Sequence, residues 1–198
     1  MKKLILIIFM ITGAFSSVQS QVWIKSFSSG GYDSNNQLLG GSEVLQLVSH
    51  KKMLFASVGY WQDENNIWYG GSNNSIGWAQ INSLDNPSAN WKEDLFLGSS
   101  YLRPEILKQI IFTKDQFGNT LSSPDTVLIC AGYSPNYIIN QVTVKSFVRN
   151  DVNGTWGESQ IVQGSFPAGE NYSIRDIEMY VDKLTGFEYV FATVGTQG

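Results

Sequence analysis

The chain has 198 residues, 42% of them hydrophobic and 15% charged, and a formal net charge of −4 from 13 Lys+Arg and 17 Asp+Glu. Arg103, Arg149 and Arg175 are its only arginines, so it lacks a phosphate-neutralising face, which argues against nucleic acid and anionic membrane surfaces as partners. A single cysteine rules out an internal disulfide, and a single histidine leaves His-based zinc sites short of ligands.

Residues 1–20 read as a secretory signal peptide. Lys2 and Lys3 precede the apolar run Leu4 to Ile11, and the small residues Val18 and Ser20 stand at −3 and −1 to a cut before Gln21. The run is too short to span a bilayer, which takes about 20 residues. The expected location is secreted, extracellular or periplasmic, without membrane insertion. Losing two lysines leaves eleven Lys+Arg against 17 Asp+Glu, a charge of −6.

The mature chain opens on Trp23-Ile-Lys-Ser-Phe-Ser-Ser-Gly30, expected as a strand over 22–30. Val44 to Val48 and Leu54-Phe-Ala-Ser-Val-Gly-Tyr60 predict a hairpin across the polar turn Ser49-His-Lys-Lys52, which makes His50 a turn residue. Ile76 to Ser83 and Trp91 to Gly98 are further strands, separated by Asp85 to Asn90. The same order then returns. Ile106 to Phe112 and Val127-Leu-Ile-Cys-Ala-Gly-Tyr133 flank a turn over Asp115 to Asp125, and Gln141 to Arg149 and Trp156 to Gly164 flank Asn150 to Thr155. A third pair, Ile174 to Val181 and Val190-Phe-Ala-Thr-Val-Gly-Thr196, turns at Asp182 to Gly186. Gly59, Gly132 and Gly195 end the repeated phrase and are read as turn residues that stop it, while Cys130 is a buried, inert thiol inside it.

A unit of about 65 residues with four antiparallel strands is the signature of a β-propeller blade. The fold class expected is therefore all-β, with blades at 42–98 and 103–164, a half blade at 174–198, and 22–30 as an outer strand that closes the ring. About two and a half blades make an incomplete ring, so the expectation is an N-terminal fragment of a longer protein. The alternative is a sandwich of two sheets.

Asp151-Val-Asn-Gly-Thr-Trp156 and, more weakly, Leu84 to Trp91 resemble the Asp-box repeat of secreted propellers such as sialidases and sortilin-like proteins. The turn here is shorter and the leading Ser is out of register. In that family the box is structural, so the resemblance implies a fold and brings no catalysis with it.

Candidate site residues fall on the loops between second and third strands and between blades. Trp61, Asp63, Trp68 and Tyr69, with Tyr133, offer flat rings beside polar groups, which suits a sugar; the alternative is that Trp61 and Trp68 pack on neighbouring sheets. Arg103 and Arg175 stand just before the second and third inner strands, where they would line the channel mouth and hold an acidic ligand group. Their alternative is an inter-blade salt bridge to Glu105, Asp176 or Glu178. Paired carboxylates could run glycoside hydrolysis, but Asp63, Glu64, Asp176 and Glu178 have no defined spacing. The chain is thus read as a ligand-binding or scaffold propeller with a glycan or protein ligand and no cofactor. A sialidase-like hydrolase and a structural or adhesion module are the competing readings.

Overall fold

Asp33, Asn86, Asp115, Asn150 and Asp182 each accept a backbone N–H two residues on and so make a tight turn, and strands run between these turns. In a computed structural model, residues 25–60, 79–98, 101–134, 141–165 and 171–197 are described, and among them the protein is all-β. Strands β1 (Gly31–Tyr32) and β2 (Leu38–Leu39) form a small hairpin. Strands β3 (Glu43–His50), β4 (Met53–Gly59), β5 (Ala79–Leu84) and β6 (Lys92–Gly98) pair in chain order as a first antiparallel sheet. Strands β7 (Arg103–Lys114), β8 (Thr120–Ser134), β9 (Gln141–Asn150) and β10 (Thr155–Ser165) repeat that order as a second. Strands β11 (Asn171–Val181) and β12 (Glu188–Gln197) form a terminal hairpin, joined to the end of β8 through Tyr172↔Ser134 and Ser173↔Tyr133.

The turn expected over Asp115 to Asp125 is shorter than its polar composition suggested. Asp115 Oδ1 accepts the N–H groups of Phe117 and Asn119, at 2.9 and 2.8 Å, so the reversal is complete at Asn119 and β8 begins at Thr120. Bonds from the Asn119 side chain and backbone hold the Asp115 carboxyl below the usual carboxylate range. Asp33 builds the same turn between β1 and β2, accepting from Asn35 and Gln37 at 2.8 Å each. At β3–β4 the turn is only two residues, Lys51 and Lys52, with φ of 47° and 69°. Both lie in the left-handed region that this hairpin type requires and that lysine disfavours. Lys52→Gly is expected to stabilise the protein by about 1 kcal/mol, visible as a higher urea midpoint; no gain would mean that the Lys52 side chain makes a compensating contact.

Gly59, Gly132 and Gly195 do not stop strands by turning. None has a positive φ, and β8 and β12 continue past theirs. They are glycines for space. A Cβ on Gly59 would lie 2.4 Å from Arg103 Cβ, one on Gly132 would lie 2.4 Å from the Tyr101 ring, and one on Gly195 would lie 2.7 Å from Arg175 Nε.

The sheets stack face to face. Phe55, Ala79, Ile81 and Leu97 of the first sheet meet Leu107, Leu128, Cys130 and Phe147 of the second in one apolar layer. The opposite face of the second sheet, Ile106, Ile110, Ile129 and Ala131, meets Ile174 and Ile177 of the terminal hairpin in another. A third layer lies behind the first sheet, where Ala56, Val58, Leu84 and Trp91 are covered by Leu39 and Phe27. Burial also pushes the Cys130 thiol far up, in keeping with an inert core thiol.

His50 is no turn residue. It ends β3 with its side chain fully buried, Nδ1 3.0 Å from Gln109 Oε1 and Nε2 2.8 Å from Asp151 Oδ2. Arg149 donates to Asp151 Oδ1 at 2.8 Å and, from Nε and Nη2, to both oxygens of Asp94 on β6 at 2.8 and 3.1 Å. Trp156 Nε1 also donates to Asp94, at 2.7 Å. These groups clamp the first sheet to the second. The Asp-box-like turn is capped by Asn150, whose Oδ1 accepts from Val152 N at 3.0 Å, which leaves Asp151 for the clamp.

The expected outer strand at 22–30 is, over residues 25–28, not part of a ladder, because no strand lies beside it among the described residues. Its side chains instead cover the first sheet: Ser26 Oγ accepts from Trp91 Nε1 at 3.3 Å, and the Phe27 ring stands edge-on to the Trp91 indole.

Candidate functional site at the inner-strand bulges

Each inner strand carries one extra residue at the same level of its hairpin. The register slips between Val44 and Gln46 in β3, between Pro104 and Ile106 in β7, and between Ile174 and Asp176 in β11. The bulged residues are therefore Leu45, Glu105 and Arg175. Bulges re-aim side chains and are enriched beside functional sites. Here all three line one cleft of about 410 Å³, together with Glu43 and Arg103. A second cleft of about 380 Å³, lined by Gln46, Ile106, Lys108 and Asp176 among others, follows the same strands one residue further along.

Gln46 holds the β7 bulge in shape. Its Nε2 donates to the Glu105 carbonyl at 3.1 Å, and its Oε1 accepts from the Leu107 N–H. One side-chain amide from β3 thus supplies the bonds that a neighbouring strand would have supplied.

The charges in the cleft are unequally committed. Arg103 is buried and donates to Glu105 Oε1 from Nε at 3.1 Å and from Nη2 at 2.6 Å. Arg175 is 42% exposed and reaches the same carboxylate only at 3.4 to 3.5 Å. Glu105 is therefore held by the buried arginine, while the guanidinium of Arg175 faces the opening. A ligand entering the cleft meets donors from Arg175 and acceptors from Glu43 and Glu105, with Leu45 as an apolar wall.

Of the residues singled out from the sequence, the structure brings Arg103 and Arg175 to one carboxylate, Glu105: for Arg175 this is the inter-sheet bridge of its alternative reading, whereas Arg103 bonds to Glu105 two residues along the same strand. Their positions do not match, however. Arg103 opens β7 two residues before its bulge, whereas Arg175 is itself the bulged residue, inside β11. Asp176 and Glu178 pair with Lys108 instead, the former at 3.5 Å. Tyr133 lies in β8, where its backbone is in register with Arg103 and Ser173. Trp61, Asp63, Glu64, Trp68 and Tyr69 lie outside the described residues. Glu43, Leu45 and the Gln46 splint were missed, for a bulge changes the backbone and leaves no mark in a side-chain pattern.

The chain matches no family model, no curated protein and no solved structure.

Proposed function

We propose that the protein is a ligand-binding or scaffold member of the secreted β-propeller type, and that it binds a hydroxyl-rich ligand, a glycan, at the bulge-lined cleft. The convergence of three inner-strand bulges on one opening carries this reading. Serial stacking supports the propeller over a sandwich: the second sheet is buried on both faces, whereas each sheet of a two-layer sandwich keeps one face in water. The mixed donors and acceptors of Glu43, Glu105 and Arg175 suit sugar hydroxyls better than an apolar guest.

Arg175→Ala is the informative variant, because its side chain is half exposed and no apolar layer includes it. A glycan array should give hits on the purified chain, and Arg175→Ala should weaken them about tenfold, the size of one charge-assisted hydrogen bond. Binding that survives Arg175→Ala unchanged would remove the cleft from the proposal. A blank array would favour a structural or adhesion module, and turnover of fluorogenic glycosides would favour the hydrolase.

A further inference from the structure

Aligning the three hairpins on their bulges makes their faces comparable. Phe55, Ile129 and Phe191 are then equivalent, as are Met53, Val127 and Tyr189, and His50, Ile110 and Tyr180. The first two members of each set look forward onto the next sheet and are covered by it: Phe55 is 0% exposed and Ile129 is 7% exposed. Among the described residues no sheet lies in front of the third members. Phe191 is 58% exposed, Tyr180 49% and Tyr189 46%. The rear faces show the converse. Leu107 and Ile177, two residues past their bulges, are buried against the preceding sheet, but their equivalent Leu47 is 60% exposed. Val44, equivalent to the fully buried Ile174, is 44% exposed. Among the described residues, one end of the stack is thus left without a following sheet, and the other without the inner strands of a preceding one.

The outer strand of that preceding sheet is already represented. Trp156 donates its indole N–H to Asp94 on β6, and Trp91 donates its own to Ser26. Asp94 and Ser26 each stand four residues before a glycine of positive φ, Gly98 at 73° and Gly30 at 85°. The next residues, Leu95 and Phe27, each pack under the corresponding tryptophan's apolar layer. Residues 26–30 therefore stand to the first sheet as β6 stands to the second. What is missing behind Val44 and Leu47 is a pair of inner strands with an apolar forward face, and β11–β12 is such a pair.

We propose that a second copy of this chain fills the gap: two copies associate head to tail, the aromatic face of β11–β12 of each docking behind β3 of the other, inside its residues 25–30. Both contacts reuse an interface already present twice within the chain. Two copies bring about six sheets together, a number within the 4–8 blades of closed rings, and the proposal commits to a contact that closes after one repetition, against one that runs on as a fibre. The third-strand place between β12 and residues 25–30, filled by β5 and β9 in the other sheets, stays open. The inference rests on the stacked-sheet reading and not on the ligand, so its failure leaves the glycan test standing.

Sedimentation equilibrium of the purified chain at micromolar concentrations should give a discrete dimer. Tyr189→Lys/Phe191→Lys should be monomeric with an unchanged far-ultraviolet dichroism spectrum, since neither ring belongs to a buried layer. Hydroxyl-radical footprinting distinguishes the geometry: the side chains of Val44 and Leu47 and those of Tyr189 and Phe191, all exposed in the single chain, should lose reactivity together as concentration rises. Loss at Tyr189 and Phe191 with Val44 and Leu47 unchanged would mean a contact of another kind and would overturn the proposal. A monomer at all concentrations, or an open-ended series of oligomers, would overturn it as well.

Discussion

Asp94→Ala is expected to cost about 3–5 kcal/mol, the loss associated with breaking a buried ion pair from one side. The Asp94 carboxylate is 7% exposed and accepts three bonds, two from Arg149 and one from Trp156. Without it the Arg149 guanidinium, itself 8% exposed, keeps only Asp151. In the intact protein, bonding to Asp94 outweighs desolvation and holds Arg149 above its usual range; an arginine stays charged without that help, so the variant keeps a buried cation with one carboxylate in place of two. Urea titration at neutral pH measures the loss; a cost below about 1 kcal/mol would mean that water enters the clamp. The same network sets a pH dependence. Burial opposes ionisation of Asp151, but hydrogen bonds from His50 and Arg149 prevail and hold its carboxyl below the usual range. A depressed carboxylate contributes stability above its unfolded pKa and loses it as pH falls through the folded one. The clamp should therefore weaken on the acid side of about pH 4 and stay intact from there to neutrality.

Phe55→Ala and Phe191→Ala should differ sharply although the two rings are equivalent in the repeat. Phe55 is fully buried between sheets, touches the His50 ring edge-on and carries the Arg149 guanidinium 5.0 Å above its own ring. Truncating it should cost about 3–5 kcal/mol, the usual range for a core phenylalanine. Phe191→Ala should cost less than about 1 kcal/mol in the monomer, because that ring stands edge-on to Tyr180 with more than half of its surface in water. Both values need sub-micromolar protein, where association does not contribute. Equal losses would mean that the bulge alignment has paired the wrong positions.

That alignment marks where the sequence was legible. Alternating apolar residues between turns gave the strands in order, because every described hairpin turn but the Lys51-Lys52 one is capped by its own aspartate or asparagine and depends on nothing distant. The register was not legible. The repeated phrase aligns on glycine, which sets Leu128 beside Phe55, yet the bulges set Ile129 there, since β7 slips just past Gly132 and β3 slips just past Val58, one residue before Gly59. The glycines mark close approaches to Arg103, Tyr101 and Arg175, three different neighbours, and so do not fix a common register. His50 was misread for a related reason. Its sequence neighbours are polar, and the groups that bury and satisfy it, Gln109 and Asp151, lie 59 and 101 residues away. At the cleft, Arg103 and Arg175 stood out as rare charges and Glu105 as their partner, whereas Glu43 and Leu45 join them only through backbone slippage.

The burial of the second sheet on both faces has a consequence for how the molecule comes apart. The terminal hairpin is gripped from one side, and the first sheet is backed on its far side only in part, by Leu39 and Phe27, so opening free energies should be graded along the stack instead of uniform. The array then behaves like a short one-dimensional chain of coupled units, in which the end units fray first and the middle one sets the global barrier. The clamp joins only the first two units, and the polar ties to the last, Arg175, the Lys108 pairs and Glu188 with Thr113 and Lys114, lie at its more exposed rim. Local opening would therefore start at β11–β12, and it would carry Arg175 away from the cleft while Arg103 and Glu105 stayed in place.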